Sequence, residues 1–85
     1  MTRPGSPFRE LDTVVLLRDV PESGLRAGDL GAVVQVYTPE ALEVEFITAS
    51  GRPQALLTLA ARDIRPVADE DLLAVRPATP RKGAA

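Results

Sequence analysis

At positions 24–37 a charged, glycine-punctuated loop runs straight into an alternating apolar strand, GLRAGDLGAVVQVY, and this junction constrains the fold more than any other part of the chain. Glycine enters left-handed backbone without a Cβ penalty and lets a neighbour approach closely. Gly24, Gly28 and Gly31 therefore fit turns, and a tight contact where loop meets strand. Their spacing does not match a dinucleotide fingerprint, and no Lys-Ser or Lys-Thr follows as a phosphate loop requires. From Leu30 the period is two. Leu30, Ala32, Val34 and Val36 are assigned to the core face, with Gly31, Val33, Gln35 and Tyr37 on the other.

The remaining runs are also strands. TVVLLR at 13–18 is a short, continuous apolar run rich in β-branched residues, and it reads as a strand buried on both faces. DVPESGLRAGD carries Pro21, Gly24 and Gly28 and must be a loop. TPEA at 38–41 predicts a tight hairpin, with Pro39 where a type I turn favours it. LEVEFI then points Leu42, Val44 and Phe46 inward and Glu43 and Glu45 to water. After a turn around Gly51, PQALLTL places Ala55, Leu57 and Leu59 in phase. Pro53 can only open that strand or lie at an edge, because it has no N–H for the ladder. A brief AARD turn leads to a last strand ended by Pro66 or soon after. The predicted strands are 13–18, 30–38, 42–48, 54–59 and 64–67. Five short strands and one long loop fit an all-β, SH3-like barrel better than a sandwich, and closure would remove aggregation-prone edges. The expected core is Val14, Leu16, Val34, Val36, Leu42, Val44, Phe46, Leu57 and Ile64.

Eighty-five residues hold one domain, assigned to 8–67. Such a domain buries only ~60% of its unfolded surface. With no cysteine, it gains nothing from disulfides or thiolate metal sites. Aliphatic packing has to hold it together. Beyond position 67, Asp69 is expected to cap one helical turn carrying Leu72, Leu73 and Val75, and RPATPRKGAA to form a disordered tail. No run approaches the ~20 apolar residues of a membrane span. The N-terminus lacks the apolar stretch of a secretory signal, so a cytoplasmic location is expected.

Three blocks of this chain, FRELDTVVLLRDVPESGLRAGDLGAVVQVY, LEVEFI and LLTLAARDIRPV, resemble the small bacterial proteins grouped as domain of unknown function 4926. The resemblance covers 8–67. It implies an SH3-like barrel and a stand-alone bacterial protein, and it carries over no catalytic residues. The central GDLGAVVQV also looks like the KOW motif of ribosomal and transcription-associated barrels, but it lacks the basic, aromatic surroundings of an RNA contact.

Composition narrows the chemistry. The chain has no His and no Cys, and its only lysine is Lys82 in the tail. The commonest general base, the commonest nucleophile–base pairs and most transition-metal sites are therefore missing, and no enzymatic activity is expected. Glu43 and Glu45 share one face of a strand ~6.5–7 Å apart, as an acid–base pair could. Without a cleft-forming insertion they read as the solvated face of an amphipathic strand. Asp29 reads as a turn residue accepting loop N–H groups. With Asp19 it provides no spaced oxygen series like that of an EF-hand, so neither metal nor cofactor is expected. Tyr37, out of phase at a strand end, combines apolar area with a polar tip and is a candidate recognition residue.

Segment 8–67 carries six arginines against nine carboxylates and sits near −3. That balance disfavours nucleic acid and suits a basic partner. The expectation is a non-catalytic protein-binding module of antitoxin, immunity or accessory type. It would engage a basic protein encoded nearby through Tyr37, Glu43, Glu45, Arg26 and Asp29. The alternative is a KOW-like RNA- or ribosome-associated module, for which Arg18, Arg26, Arg52 and Arg65 would have to form a continuous patch.

Overall fold

A computed structural model describes residues 6–78 of the protein. Five strands follow in order: β1 (Thr13–Leu16), β2 (Leu30–Thr38), β3 (Ala41–Ile47), β4 (Pro53–Ala60) and β5 (Ile64–Pro66). They form one antiparallel sheet in the order β4-β3-β2-β1-β5. The predicted strands all form, within a residue or two of the predicted ends.

The predicted barrel does not close. β4 and β5 are the two edges of the sheet, joined by a 3₁₀ turn at Ala61–Asp63 instead of by a ladder. β5 has only three residues, and Pro66 brings no N–H to a ladder, so this strand is a poor closing partner.

The core lies on one face of the sheet. Phe46, Leu16, Leu42, Val14, Val33 and Val44 are fully enclosed there, joined by Phe8, Leu25, Val36, Ala55, Leu59 and Ile64. Leu57, expected in the core, packs against it half-buried. β1 is buried on both faces as its continuous apolar run predicts, because Val15 is covered too.

β2 departs from the simple alternation. Its inward residues are Gly31, Val33 and Val36. Val34, assigned to the core from its phase, is 45% exposed, and Leu30 is exposed as well. The cause is a bulge. Val33 pairs with Val44 and Gln35 with Glu43, so Val34 is an extra residue that reverses the phase between Val33 and Val36. A second shift follows between Val36 and Thr38, next to the two-residue hairpin turn at Pro39 and Glu40.

The long loop is ordered. A 3₁₀ turn at Pro21–Ser23 ends on Gly24 in the left-handed region (φ 70°), and a Val20–Leu25 bridge drives Leu25 into the core. Gly28, also left-handed at φ 99°, donates its N–H to the Leu16 carbonyl at 2.7 Å. Gly31 provides the close approach. A Cβ there would lie 2.7 Å from Val44 Cγ1 and 2.8 Å from Phe46 Cε2.

The expected helical turn after position 67 is absent. Residues 68–71 form a β-turn, with Asp71 N–H donating to the Ala68 carbonyl and the Asp71 carboxylate accepting from Ala68 N–H. Asp71 does the capping, not Asp69, and the chain runs on without regular secondary structure to position 78. The part of the expected disordered tail at 79–85 lies outside the described residues.

Candidate functional site

The outer face of β2, β3 and β4 turns away from the core. On it Glu45 lies between Ala32 and Leu56, and Glu43 between Gln35 and Thr58, by direct cross-strand pairing. Thr58 Oγ1 donates to Glu43 Oε1 at 2.7 Å and Tyr37 Oη donates to the same oxygen at 3.3 Å. Tyr37 is 37% exposed and Leu56 55% exposed, and with the bulged Val34 they set apolar area beside the two carboxylates. Strands β2, β3 and β4 contain no Arg or Lys, so Glu43 and Glu45 are the only charges that these strands carry. Desolvation and the neighbouring Glu43 charge raise the Tyr37 hydroxyl pKa above its usual value, so the tyrosine is a neutral donor at physiological pH.

Arg26 and Asp29 lie elsewhere. Both precede β2, whereas Tyr37 sits near its far end, more than ~20 Å along the strand. The five candidates therefore divide into two groups. Tyr37, Glu43 and Glu45 share the outer face, while Arg26 and Asp29 belong to the loop.

Asp29 organises that loop and the C-terminal segment together. Its Oδ2 accepts the Arg26 N–H at 2.8 Å, and Asp19 Oδ1 accepts the Ala27 N–H at 2.9 Å. Arg76 then grips both Asp29 oxygens, Nε at 2.9 Å and Nη2 at 2.5 Å, while Nη2 also reaches the Gly24 carbonyl. Burial alone would raise the Asp29 pKa. The Arg76 hydrogen bonds and the Arg26 N–H more than offset it, and the carboxyl is held below its ordinary value. Arg65 pairs bidentately with Asp71 at 2.8 and 3.0 Å, a second tie on the same segment. Between loop and segment opens a cleft of about 470 Å³, walled by Leu25, Leu30, Phe46, Gln54, Val75 and Arg76. Among the described residues, no three of Asp, Glu, His and Cys converge to hold a metal ion.

Thr58, Arg76 and Asp71 escaped the sequence reading. Thr58 looked like an ordinary strand residue, and its role rests on the β3–β4 register. Arg76 stands in a Pro- and Ala-rich stretch that composition alone marks as unstructured, and only the fold reveals its carboxylate 47 positions away.

The chain belongs to a family known by its sequence pattern. A family model described as Domain of unknown function (DUF4926) matches residues 10–66, which span all five strands. No curated protein and no solved structure matches the chain.

Proposed function

We propose that this open, SH3-like sheet is a non-catalytic protein-binding module that engages a basic protein through the outer face of β2, β3 and β4. One observation carries the reading. That face combines Tyr37, Val34 and Leu56, all exposed, with Glu43 and Glu45 as its strands' only charges. Aromatic and aliphatic area supplies affinity on association, and the carboxylates steer a cationic partner and select it. The arginines that an RNA-binding patch would need are partly neutralised. Arg18 Nε lies 3.2 Å from Asp63 and Arg65 is clamped by Asp71, so a phosphate would have to displace carboxylates.

The test is capture by the tagged chain, followed by association kinetics with the protein recovered. Glu43→Lys with Glu45→Lys should slow association roughly tenfold and leave dissociation little changed. Arg18→Glu, Arg26→Glu and Arg52→Glu together should leave that binding intact or improved. Tight RNA binding by the native chain, abolished in the triple variant, would overturn the reading.

A further inference from the structure

The two edges of the sheet are built differently. β5 is three residues long, ends on Pro66 and carries Arg65, whose guanidinium is tied across to Asp71. Short length, proline and charge are devices that keep an edge from pairing with another chain. β4 has none of them beyond its first residue. It runs eight residues, PQALLTLA, with no charged residue and with proline only at its first position. Its one irregularity is the register shift at its start, between Phe46 and Ile47 of the facing strand. Arg52 and Arg62 flank the strand, so charge is confined to its ends.

The hydrogen-bond parity of this edge follows from the neighbouring ladder. Ala61 N–H donates to the Glu40 carbonyl at 2.8 Å, extending the β3–β4 register by one pair. Alternation from that bond turns the main-chain groups of Leu57 and Leu59 toward β3 and those of Leu56 and Thr58 outward. Both outward residues are exposed, and β4 has β3 as its sole neighbour in the sheet.

We propose that β4 pairs with β4 of a second copy of this chain, antiparallel about a two-fold axis at Leu57. In that register Leu56 of one copy exchanges N–H···O bonds with Thr58 of the other, and the reverse, giving four main-chain bonds. The run 54–60 then overlaps itself completely, and Pro53 falls just beyond the ladder. No charge is buried, because none lies on the strand. Leu57 meets its counterpart on the core face in a non-hydrogen-bonded pair, while Leu56 and Thr58 of the two copies abut on the outer face. The pairing is isologous and closes at two copies, which satisfies the open β4 edge of each without a fibre. The outer faces of the two sheets become one surface carrying four carboxylates.

Sedimentation of the full chain across a concentration series, combined with amide exchange, tests this. The weight-average mass should double as concentration rises. The amides of Leu56 and Thr58 should become protected over the same range, whereas those of Leu57 and Leu59 stay protected throughout. The protein has no cysteine, so single cysteines can report register. Leu57→Cys should crosslink on oxidation, since paired Cα atoms there lie ~4.5 Å apart, inside the disulfide range. Leu56→Cys should not, its copies being about 8 Å apart. A monomer at every concentration, or a dimer in which the Leu56 and Thr58 amides still exchange freely, would overturn the proposal. If Leu57→Cys fails to fold, exchange on the native chain still decides.

Discussion

Gly31 shows how one missing Cβ sets the packing of β2 against β3. Val44 and Phe46 occupy the space a side chain would need, less than 3 Å from it, and both are core residues without room to retreat. Gly31→Ala should therefore destabilise the domain by roughly 1–3 kcal/mol, read as a lower chemical-denaturation midpoint. A change at Gly51, whose Cβ position is empty but whose φ is 91°, acts through backbone strain alone. At Tyr37 the decisive neighbour is Glu43. Its charge and its hydrogen bond both hold the proton on the phenol, so Glu43→Gln should move the hydroxyl pKa down toward 10. Tyr37 is the only tyrosine and there is no tryptophan, so tyrosinate absorbance reports this residue alone. An unchanged titration would mean that the contact is not populated.

The bulge in β2 decides which valines hold the molecule together. Val33 is fully enclosed and Val34 is 45% exposed, the reverse of what unbroken alternation from Leu30 predicts. Val33→Asp should unfold the domain, since burying an unpaired carboxylate costs several kcal/mol against a small total stability. Val34→Asp should shift stability by no more than about 0.5 kcal/mol, as at other open surface sites. Thermal melts of the two variants check this, and equal midpoints would place the bulge elsewhere. The long loop teaches the converse. Its prolines and glycines mark it only as a loop, yet Leu25 plugs the core and Asp19 and Asp29 accept the Ala27 and Arg26 N–H groups.

Across the whole molecule, the C-terminal segment acts as a strap fastened at two arginine–aspartate pairs. Hydrogen bonds from Arg65 and from Ala68 N–H hold the Asp71 carboxyl at about 2, below its ordinary 3.8. Asp29 is lowered as well, by Arg76 and Arg26 against its burial. A depressed carboxyl pKa stabilises the folded arrangement fully above 3.8 and ceases to as pH falls through the folded value. The strap should consequently loosen between pH 3.8 and about 2, and stay fastened as pH rises from neutral. Resonances of residues 68–78 should sharpen toward random-coil positions over that acid range. Arg76→Ala should release residues 72–78 at neutral pH, while Arg65–Asp71 keeps 68–71 in place. The cost should be about 1 kcal/mol, because bidentate pairs of this exposure contribute little more.

Much of this architecture is local chemistry and can be read from the chain directly. Alternation in LEVEFI, the β-branched run in β1, and proline or glycine in the connections up to β4 specify most strands and their boundaries, because strand geometry and turn dihedrals are short-range properties. The family pattern over 10–66 is legible for the same reason. The absence of His and Cys is likewise a fact of composition. Three features required the fold. The bulge at Val34 depends on where β2 meets β3, a register that alternation along one strand cannot encode. The open gap between β4 and β5 depends on how far the sheet curls and on a final strand too short to bridge it. The Arg76–Asp29 clasp joins residues 47 positions apart. A charge in a proline-rich stretch finds its partner only after the sheet has brought loop and tail together, because an ion pair is specified by distance in space and not by position along the chain.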